Sequence, residues 1–522
     1  MADFLIDIPV LLQAALNQDL QDVEKMFFDT PHHSFYITAS MIPAVDSFMR
    51  KNNLDKDNFN KNIIGKCTII TSTGREAARA LEYEESESAL NAISFKRVCP
   101  NGIIITTNKD VFSAFGLVSY TPEEALFSLE EETLESKKTI SLLDLSAYYR
   151  FQMEAIDDSI LDCIVKARYI LGPQVNELET KLSHYLDVEN CIGVCSGTDA
   201  LVLALRALAI QQKNQEYFDR TDAIITTPFT FTATGDAILR AGATPVFVDI
   251  DPVTYNIAPA QLESFLKAPP GNLKPVGILP VHLYGQACNM EWIMYIAQKY
   301  NLFVVEDVAQ AIGGMWKKQK LGTIGNAGAF SFFPSKNLGG FGDGGMVATN
   351  DGQLAQLVRM LLKHGGKDKY NVDHIGYNAR LDTIQASVLL EKLPYLDEMN
   401  QQRRAIADRY TQALFGIKGI QLPLCPNPDA YHVYHQYTVC LLDGNRDALQ
   451  THLKEKGIST MIYYPFPLHK MRVFQDGRSQ VFRTLNEVEK TVQRVLSLPV
   501  DPLQSPKDTH RVIQGIKEFF EL

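Results

Sequence analysis

Residues 331–345 set a single lysine between a strand-like apolar run and a glycine-dense loop. The stretch reads Ser-Phe-Phe-Pro-Ser-Lys-Asn-Leu-Gly-Gly-Phe-Gly-Asp-Gly-Gly. Glycine lets a backbone approach a ligand closely. A lysine held in such a loop can lose its hydration, which lowers its pKa and lets its amine attack a carbonyl carbon. The segment therefore predicts a strand-to-loop site in which Lys336 is the reactive group.

A second segment, Val-Cys-Ser-Gly-Thr-Asp-Ala at 194–200, has the pattern of an anion-binding helix start. It follows a short apolar run that includes Cys191, and it opens a helical pattern that begins at Asp199. The free N–H groups and the positive end of a helix attract phosphate groups. The sequence therefore predicts an anion site at Ser-Gly-Thr, residues 196–198.

Two further features lie between these segments. Pro-Phe-Thr-Phe-Thr-Ala-Thr at 228–234 is an aromatic loop after a strand-like run, and the apolar run from Leu302 ends in the carboxylate of Asp307. A phosphate cradle, an aromatic plate, a carboxylate and a Schiff-base lysine are the parts that pyridoxal 5′-phosphate (PLP) requires. The carboxylate would keep the pyridine nitrogen protonated, so that the ring accepts electrons from the substrate.

Residues from about 140 to 522 resemble the DegT/StrS family of sugar-nucleotide aminotransferases. The segments that carry the resemblance occur in order: Tyr-Ile-Leu-Gly-Pro (169–173), Ser-Gly-Thr-Asp-Ala-Leu (196–201), Ala-Gly-Ala-Thr-Pro-Val-Phe-Val-Asp (241–249), Pro-Val-His-Leu-Tyr-Gly-Gln (280–286), Val-Glu-Asp-Val-Ala-Gln (305–310), Gly-Asp-Gly-Gly (342–345), Gly-Tyr-Asn-Ala-Arg-Leu-Asp (376–382) and Tyr-Tyr-Pro-Phe-Pro-Leu-His (463–469). The resemblance implies an α/β fold of the aspartate-aminotransferase type (type I). Its large PLP-binding domain would span 140–394 and its small domain 395–522.

The resemblance also assigns residue roles. Lys336 is the Schiff-base lysine, and relatives with His at that position are dehydratases, so the lysine favours transamination. The other implied cofactor contacts are Gly197, Thr198 and Ser331 at the phosphate, Phe231 on the ring face, Asp307 at the pyridine nitrogen and Gln310 at the phenolic oxygen. Phe229 is the alternative aromatic plate. His282 is interpreted as a core histidine at a strand end, with catalysis as the alternative.

The segment Asn-Ala-Arg at 378–380 matches a motif that, in the family, reaches across a dimer interface. Asn378 would then complete the neighbouring subunit's phosphate site, which implies a homodimer with shared active sites. Arg380 would bind substrate, and its alternative is a structural pair with Asp382. Tyr464 is also assigned to substrate binding. Tyr463 stands where many relatives have His, so no single relative's sugar preference transfers to this chain.

The first 138 residues have a different character. They hold 21 Asp and Glu against 13 Lys and Arg, which is −8 of the chain's net −11. Strand-like and helical patterns alternate there, which predicts a small α/β domain with a parallel sheet at 1–129 and a charged linker at 130–139.

This N-terminal segment resembles a PIN domain, a nuclease fold that gathers acidic side chains around Mg²⁺. Asp7 and Asp110 match acidic positions of that family, and Asp46 is a further candidate. Ser88 stands where the family has Asp, and a strongly acidic face repels RNA. We therefore expect a PIN-like scaffold with a structural or partner-binding role, and a working nuclease is the alternative.

Composition limits the remaining classes. A chain of 522 residues that is 46% hydrophobic can form two or three domains with large cores. No apolar run is long enough to span a bilayer, and the first residues lack the basic segment of a secretory signal. The eight cysteines show no metal-type CxxC pairing. We expect a cytoplasmic enzyme that has no metal centre and does not bind membranes or nucleic acid.

These observations predict an enzyme that transfers an amino group, from L-glutamate, to a keto-sugar linked to a nucleotide. C3 of the sugar is the expected position and C4 is the next candidate, in the synthesis of amino sugars for polysaccharide. Three alternatives stay open at this point. They are a PLP-dependent sugar dehydratase or epimerase, a non-catalytic regulator whose N-terminal domain binds partners, and an RNA-cleaving fusion.

Overall fold

The structure, a computed structural model, describes residues 139–368 and 370–521 and, before them, five strands. The chain forms two compact units, Met1–Thr139 and Ile140–Leu522. The two units are described separately below.

The strands of the first unit form one parallel sheet. They are β1 (Asp3–Ile6), β2 (Ser34–Thr38), β3 (Thr68–Ile70), β4 (Ile103–Ile105) and β5 (Val118–Tyr120), in the order β3-β2-β1-β4-β5. All four strand pairings are parallel, as the alternating sequence pattern predicted. The PIN-like assignments at Asp7, Asp46, Ser88 and Asp110 lie outside the described residues.

The second unit alternates strands and helices over most of its length. Its first half contains α1 (Leu145–Lys166), α2 (Pro173–Leu186), β6 (Asn190–Val194), α3 (Gly197–Lys213), β7 (Asp222–Thr226), α4 (Thr232–Arg240), β8 (Thr244–Phe247), α5 (Pro259–Lys267), β9 (Lys274–Ile278), α6 (Met290–Tyr300), β10 (Phe303–Asp307), β11 (Met315–Trp316), β12 (Gln319–Lys320), β13 (Ala327–Ser331), β14 (Gly345–Thr349) and α7 (Gly352–Leu361). Its second half contains α8 (Thr383–Lys392), α9 (Leu396–Leu414), β15 (Ile420–Gln421), β16 (Ala430–Tyr431), β17 (Tyr437–Leu441), α10 (Arg446–Glu455), β18 (Gln480–Val481), α11 (Asn486–Thr491), β19 (Val495–Leu498) and α12 (Pro506–Phe519).

An eight-stranded mixed sheet organises this unit. Its order is β18-β8-β7-β9-β10-β13-β14-β6, and only the pairs that involve β14 are antiparallel. Strands β7, β8, β10 and β14 are buried along their whole length. Strands buried on both faces read as continuous apolar runs, and helices must then cover both faces. The expected α/β architecture with a large sheet is therefore present.

Helices pack on the two faces of the sheet as two separate cores. Val305 of β10 contributes to the core that contains α3, whereas its neighbour Val304 contributes to the core that contains α2, α5 and α6. Successive strand residues point to opposite faces, which explains the alternation. Helix α2 shows the matching pattern, because its buried residues include Val175, Leu178 and Leu182 on one face.

A third core belongs to the C-terminal part of the chain. It joins α9, α10 and α12 to the antiparallel sheet β15-β17-β19. Ile140 also packs in this core, and its backbone bonds to Gly457 and Ser459. Conversely, β18 from the C-terminal region pairs with β8 at the edge of the large sheet. The chain therefore crosses between the large sheet and the C-terminal core more than once.

Among the described residues, none of the helices has both the length and the apolar composition that a membrane span requires.

Candidate active site

The carboxyl ends of several parallel strands meet at one edge of the large sheet. Strand β10 ends at Asp307 and β13 ends at Ser331, and the two strands are parallel neighbours. Strand β6 runs antiparallel to β14, which is itself antiparallel to β13, so β6 ends at the same edge and leads into α3. Open α/β sheets bind ligands at the carboxyl edge of their strands. The sequence-predicted lysine, carboxylate and anion loop all follow strands that end here.

Asp307 is a buried carboxylate with both oxygens held in place. The Thr234 hydroxyl donates to Oδ2 over 2.8 Å, and the Ala309 N–H donates to Oδ1 over 3.1 Å. Burial raises the pKa of Asp307, and these two hydrogen bonds, together with the charge of Lys336, oppose that rise. The carboxylate is thus presented in a fixed orientation inside a low-dielectric site, where it interacts strongly with a cation.

Lys336 follows β13, in a turn closed by a bond from its own N–H to the Phe333 carbonyl. Burial lowers the pKa of Lys336 to about 8, and the nearby carboxylate of Asp307 partly offsets this effect. This direction agrees with the lowered pKa expected from the glycine-rich sequence. The lowered pKa increases the share of neutral amine, which is the form that attacks a carbonyl carbon.

The N-terminus of α3 lies against the end of β13. Ser196 caps the helix by accepting the Asp199 N–H over 3.0 Å, and Gly197 and Thr198 form the first turn. A side chain on Gly197 would place its Cβ 2.6 Å from the Ser331 Cβ, so only glycine allows this approach. The unpaired N–H groups of the first turn and the Ser331 hydroxyl together suit a phosphate group.

The two candidate ring-stacking residues differ in exposure. Phe229 is fully buried, and its ring makes edge contacts with those of Tyr255, Tyr284 and Tyr464. Phe231, which precedes α4, is 58% exposed. Only Phe231 has a free face for a planar ligand, so the geometry favours it over Phe229.

Gln310 lies three residues beyond Asp307 and is buried. Its Oε1 accepts the Tyr284 N–H over 2.6 Å, and its Nε2 donates to the Tyr464 hydroxyl over 2.9 Å. Tyr464, assigned to substrate binding from the sequence, is therefore in direct contact with a residue assigned to the cofactor. No local sequence signal indicates this contact, since 154 positions separate the two residues.

The Asn-Ala-Arg segment runs beside the end of β6, which leads into α3 in the same chain. The backbone of Arg380 forms an antiparallel bridge with Val194, and the Arg380 Nη2 donates to the Asn378 side-chain oxygen. The Arg380 Nε is buried and has no partner within the described part of the chain. In that same part, no ion pair joins Arg380 to Asp382, so the structural alternative is not favoured. Asn378 is exposed, and its action in a second subunit stays a prediction.

His282 has a structural environment, in line with its interpretation from sequence. It is fully buried, its Nε2 lies 3.0 Å from Glu306, and its Nδ1 accepts the Cys288 N–H. Glu306 also accepts N–H groups from Gly322, Ile324 and Gly325, which fixes the loop before β13. Glu306 precedes Asp307 on the strand and so points to the opposite face of the sheet.

Sequence reasoning missed a hydrogen-bonded network of buried polar side chains next to Lys336. Asn337 accepts from His435 over 2.8 Å and donates to Asn400 over 2.6 Å. Burial and the charge of Lys336 hold the pKa of His435 well below its usual range, so this ring stays neutral. The network fixes the backbone that carries Lys336. Sequence gives no signal for it, because its members lie about 60 to 100 positions apart.

Comparison with known proteins points to one family. A model of the DegT/DnrJ/EryC1/StrS aminotransferase family matches residues 152–517. A protein of Geobacillus stearothermophilus named pleiotropic regulatory protein is 43% identical over 388 residues, which are 73% of this chain and 98% of that protein. A UDP-N-acetyl-3-dehydro-alpha-D-glucosamine 3-aminotransferase of Acidithiobacillus ferrooxidans is 42% identical over 378 residues, 72% of this chain and 97% of that protein.

A solved structure agrees with these matches. The crystal structure of NtdA from Bacillus subtilis, described with bound cofactor PMP, superposes with a TM-score of 0.65 at 30% identity. The superposition covers 74% of this chain and 87% of that one.

Proposed function

The chain belongs to the DegT/DnrJ/EryC1/StrS aminotransferase family, and on that premise we propose that it transfers an amino group to a keto-sugar linked to a nucleotide. The observation that carries the proposal is the presence of Lys336 and Asp307 at the same sheet edge. The lysine is desolvated, the carboxylate is buried and the two charges interact, in a site that also contains a helix N-terminus. Perturbed pKa values of this kind cluster at catalytic sites.

The residues present fit pyridoxal phosphate. Gly197, Thr198 and Ser331 would hold its phosphate. The close approach of the helix start to Ser331, which a Cβ at position 197 would prevent, supports this. The remaining contacts would come from Asp307 at the pyridine nitrogen, Phe231 on the ring face, Gln310 at the phenolic oxygen and Lys336 at the aldehyde carbon. When bound, this cofactor supplies an electron sink for amino-group transfer.

The chain's own groups then have separate tasks. When neutral, the Lys336 amine attacks a carbonyl carbon. When the amine is no longer bonded to that carbon, it carries a proton to or from the reacting substrate carbon. The carboxylate of Asp307 stabilises a positive charge on a ring nitrogen. Thr234 and Ala309 hold that carboxylate so that it needs no reorientation during the reaction.

L-Glutamate is the proposed amino donor, and C3 of the sugar is the proposed acceptor position. The name of the A. ferrooxidans relative, a 3-aminotransferase acting on a UDP-linked 3-dehydro sugar, supports C3. Tyr463 stands where many relatives have His, so no individual sugar is proposed.

The test is to incubate the purified chain with L-glutamate and nucleotide-linked 3-keto and 4-keto sugars. The proposal requires equal amounts of amino sugar and 2-oxoglutarate by mass spectrometry.

A non-catalytic regulator is the second candidate, because one relative is named a pleiotropic regulatory protein. It predicts that the chain binds cofactor but releases no 2-oxoglutarate with any keto-sugar nucleotide. A sugar dehydratase or epimerase would change the sugar without net consumption of glutamate. The same incubation therefore separates all three functions.

A homodimer with shared sites is also proposed, with Asn378 acting at the partner's phosphate group. Its exposure supports this. Asn378→Ala alone should weaken cofactor retention, since one phosphate contact is lost. Mixing Asn378→Ala with Lys336→Ala chains should restore part of the activity, because one of the two sites in a mixed dimer has both residues intact. Activity after mixing, measured against each variant alone, checks this.

Native mass spectrometry provides the control for that experiment by showing that mixed dimers form. A matched control variant is Asn350→Ala, because Asn350 is another side-chain amide of the same unit, and it bonds only the Glu189 N–H in the described residues. In a mixture of Asn350→Ala and Lys336→Ala chains, the activity per Asn350→Ala chain should equal that of Asn350→Ala alone. Mixed dimers without any regain of activity would contradict the shared site.

The N-terminal unit is proposed to be a PIN-like scaffold at 1–129, joined by a linker at 130–139 to the domains 140–394 and 395–522. The five-stranded parallel sheet supports an α/β scaffold. Its excess of acidic residues, with Ser88 in an acidic position, speaks against RNA cleavage. Mg²⁺-dependent RNA cleavage by the full chain that disappears in Asp7→Asn would contradict this proposal.

A further inference from the structure

The Gln310 side-chain amide and the Tyr464 hydroxyl lie side by side, and both can donate hydrogen bonds. Its amide can donate two protons from Nε2, and one of them goes to the Tyr464 hydroxyl. The amide orientation is set by the other end, since Oε1 accepts the Tyr284 N–H over 2.6 Å. Within the described residues, the second Nε2 proton has no acceptor and is left for another group.

The Tyr464 hydroxyl accepts from Gln310, so its own proton is also available. Within the described part of the chain, this hydroxyl donates to no acceptor. The ring of Tyr464 is held by contacts to Phe229 and Phe231, with centroids 6.3 and 6.4 Å away. Burial, followed by the charge of Asp307, raises the pKa of Tyr464, so the hydroxyl keeps its proton.

Tyr284 fixes both members of this pair. It lies in the tight turn Leu283–Gly285 with φ at +59°, a conformation that is costly for a bulky residue and that clusters at functional sites. Its N–H holds Gln310, and its hydroxyl bonds the Tyr463 carbonyl, one residue before Tyr464. One residue thus sets the positions of two side chains from distant parts of the sequence.

Two unsatisfied protons on heavy atoms 2.9 Å apart form a site for a single anionic oxygen. The pair lies three residues beyond Asp307 and next to Phe231. We propose that Gln310 and Tyr464 form a two-donor fork for the phenolic oxygen of the cofactor, so that Tyr464 binds the cofactor instead of the sugar. The inference rests on the proposed function and adds a residue to its cofactor site.

The fork has a measurable consequence. The phenolic oxygen carries most negative charge when the nitrogen that joins the cofactor to Lys336 has lost its proton. Donors to that oxygen favour the deprotonated form and therefore lower the pKa of the visible chromophore. The titratable groups that act on Tyr464 are Asp307, Tyr463 and Tyr284. The two fork variants described below keep all three groups, and the control variant removes only the Tyr463 hydroxyl.

The test is a pH titration of the visible absorbance of the cofactor-loaded protein. Tyr464→Phe keeps the aromatic ring and removes one donor, so the chromophore pKa should rise by about one to two units, the size expected for one hydrogen bond to a charged group. Gln310→Glu keeps the acceptor for the Tyr284 N–H and removes the other donor, so it should also raise that pKa. Tyr463→Phe is the matched control and should titrate as the wild type does.

A wild-type titration in both Tyr464→Phe and Gln310→Glu would overturn the fork. A shift in Tyr463→Phe equal to that in Tyr464→Phe would also overturn it, since the effect would then be unspecific. Thermal unfolding of each loaded variant identifies a folding defect, and the cofactor dissociation constant, expected to rise in Tyr464→Phe, is the second readout. A wild-type chain that forms no chromophore at Lys336 contradicts the proposed function itself, which is a different result.

Discussion

Lys336→Ala should abolish transamination, with a loss of at least about 10⁴-fold, the upper range for removal of one acid–base group. The variant lacks both the amine that attacks the carbonyl carbon and the group that moves the substrate proton. Its fold should persist, because the polar network next to it depends on Asn337 and His435 and not on the lysine side chain. Release of 2-oxoglutarate from L-glutamate and a keto-sugar nucleotide measures the effect.

A second lysine offers a matched control for this prediction. Burial also lowers the pKa of Lys392 to about 8, but its Nζ donates to the Gly339 carbonyl over 2.6 Å and lies over the rings of Tyr148 and Phe341. Borohydride reduction followed by peptide mapping should place the cofactor on Lys336 and leave Lys392 unlabelled. A label on Lys392, or transamination that survives in Lys336→Ala, would contradict the role of Lys336 as the lysine that holds the cofactor.

Asp307→Asn should reduce turnover by roughly 10²–10³-fold, the usual cost of removing one preorganised electrostatic contact. The substitution keeps the size of the side chain, and the asparagine oxygen can still accept the Ala309 N–H. Its amide nitrogen can only donate to the Thr234 oxygen, which reverses that hydrogen bond. The change therefore removes the negative charge and replaces one acceptor with a donor. Turnover per bound cofactor, with cofactor content measured separately, distinguishes this chemical effect from a loss of binding.

Asp249 is the matched control, because it is also a buried carboxylate beyond the end of a strand of the same sheet. It accepts N–H groups from Glu487 and Val488 at the start of α11, so its role is structural. Asp249→Asn should lower the free energy of unfolding by about 1–3 kcal/mol and leave turnover per bound cofactor nearly unchanged. Equal turnover losses in the two variants would contradict a specific role for Asp307.

The sequence alone identified the groups that follow strands. An apolar run that ends in a polar residue predicts both the strand and the residue at which it ends, and the carboxyl ends of parallel strands lie at one edge. For this reason we expected Asp307, Lys336 and the start of α3 to lie near one another, and in the structure all three follow strands that end at one edge of the sheet. The parallel sheet of the first unit was also predicted, since strand-like and helical patterns alternate there.

The tertiary structure decided which side chains meet. Composition could not choose between Phe229 and Phe231, because both follow the same strand and only packing buries one ring and exposes the other. It could not place Tyr464 on Gln310, nor His435 on Asn337, because these pairs are 154 and 98 positions apart. Local pattern encodes the period and the end of an element, whereas contacts between distant elements depend on how their surfaces pack, and no short segment of sequence contains that information.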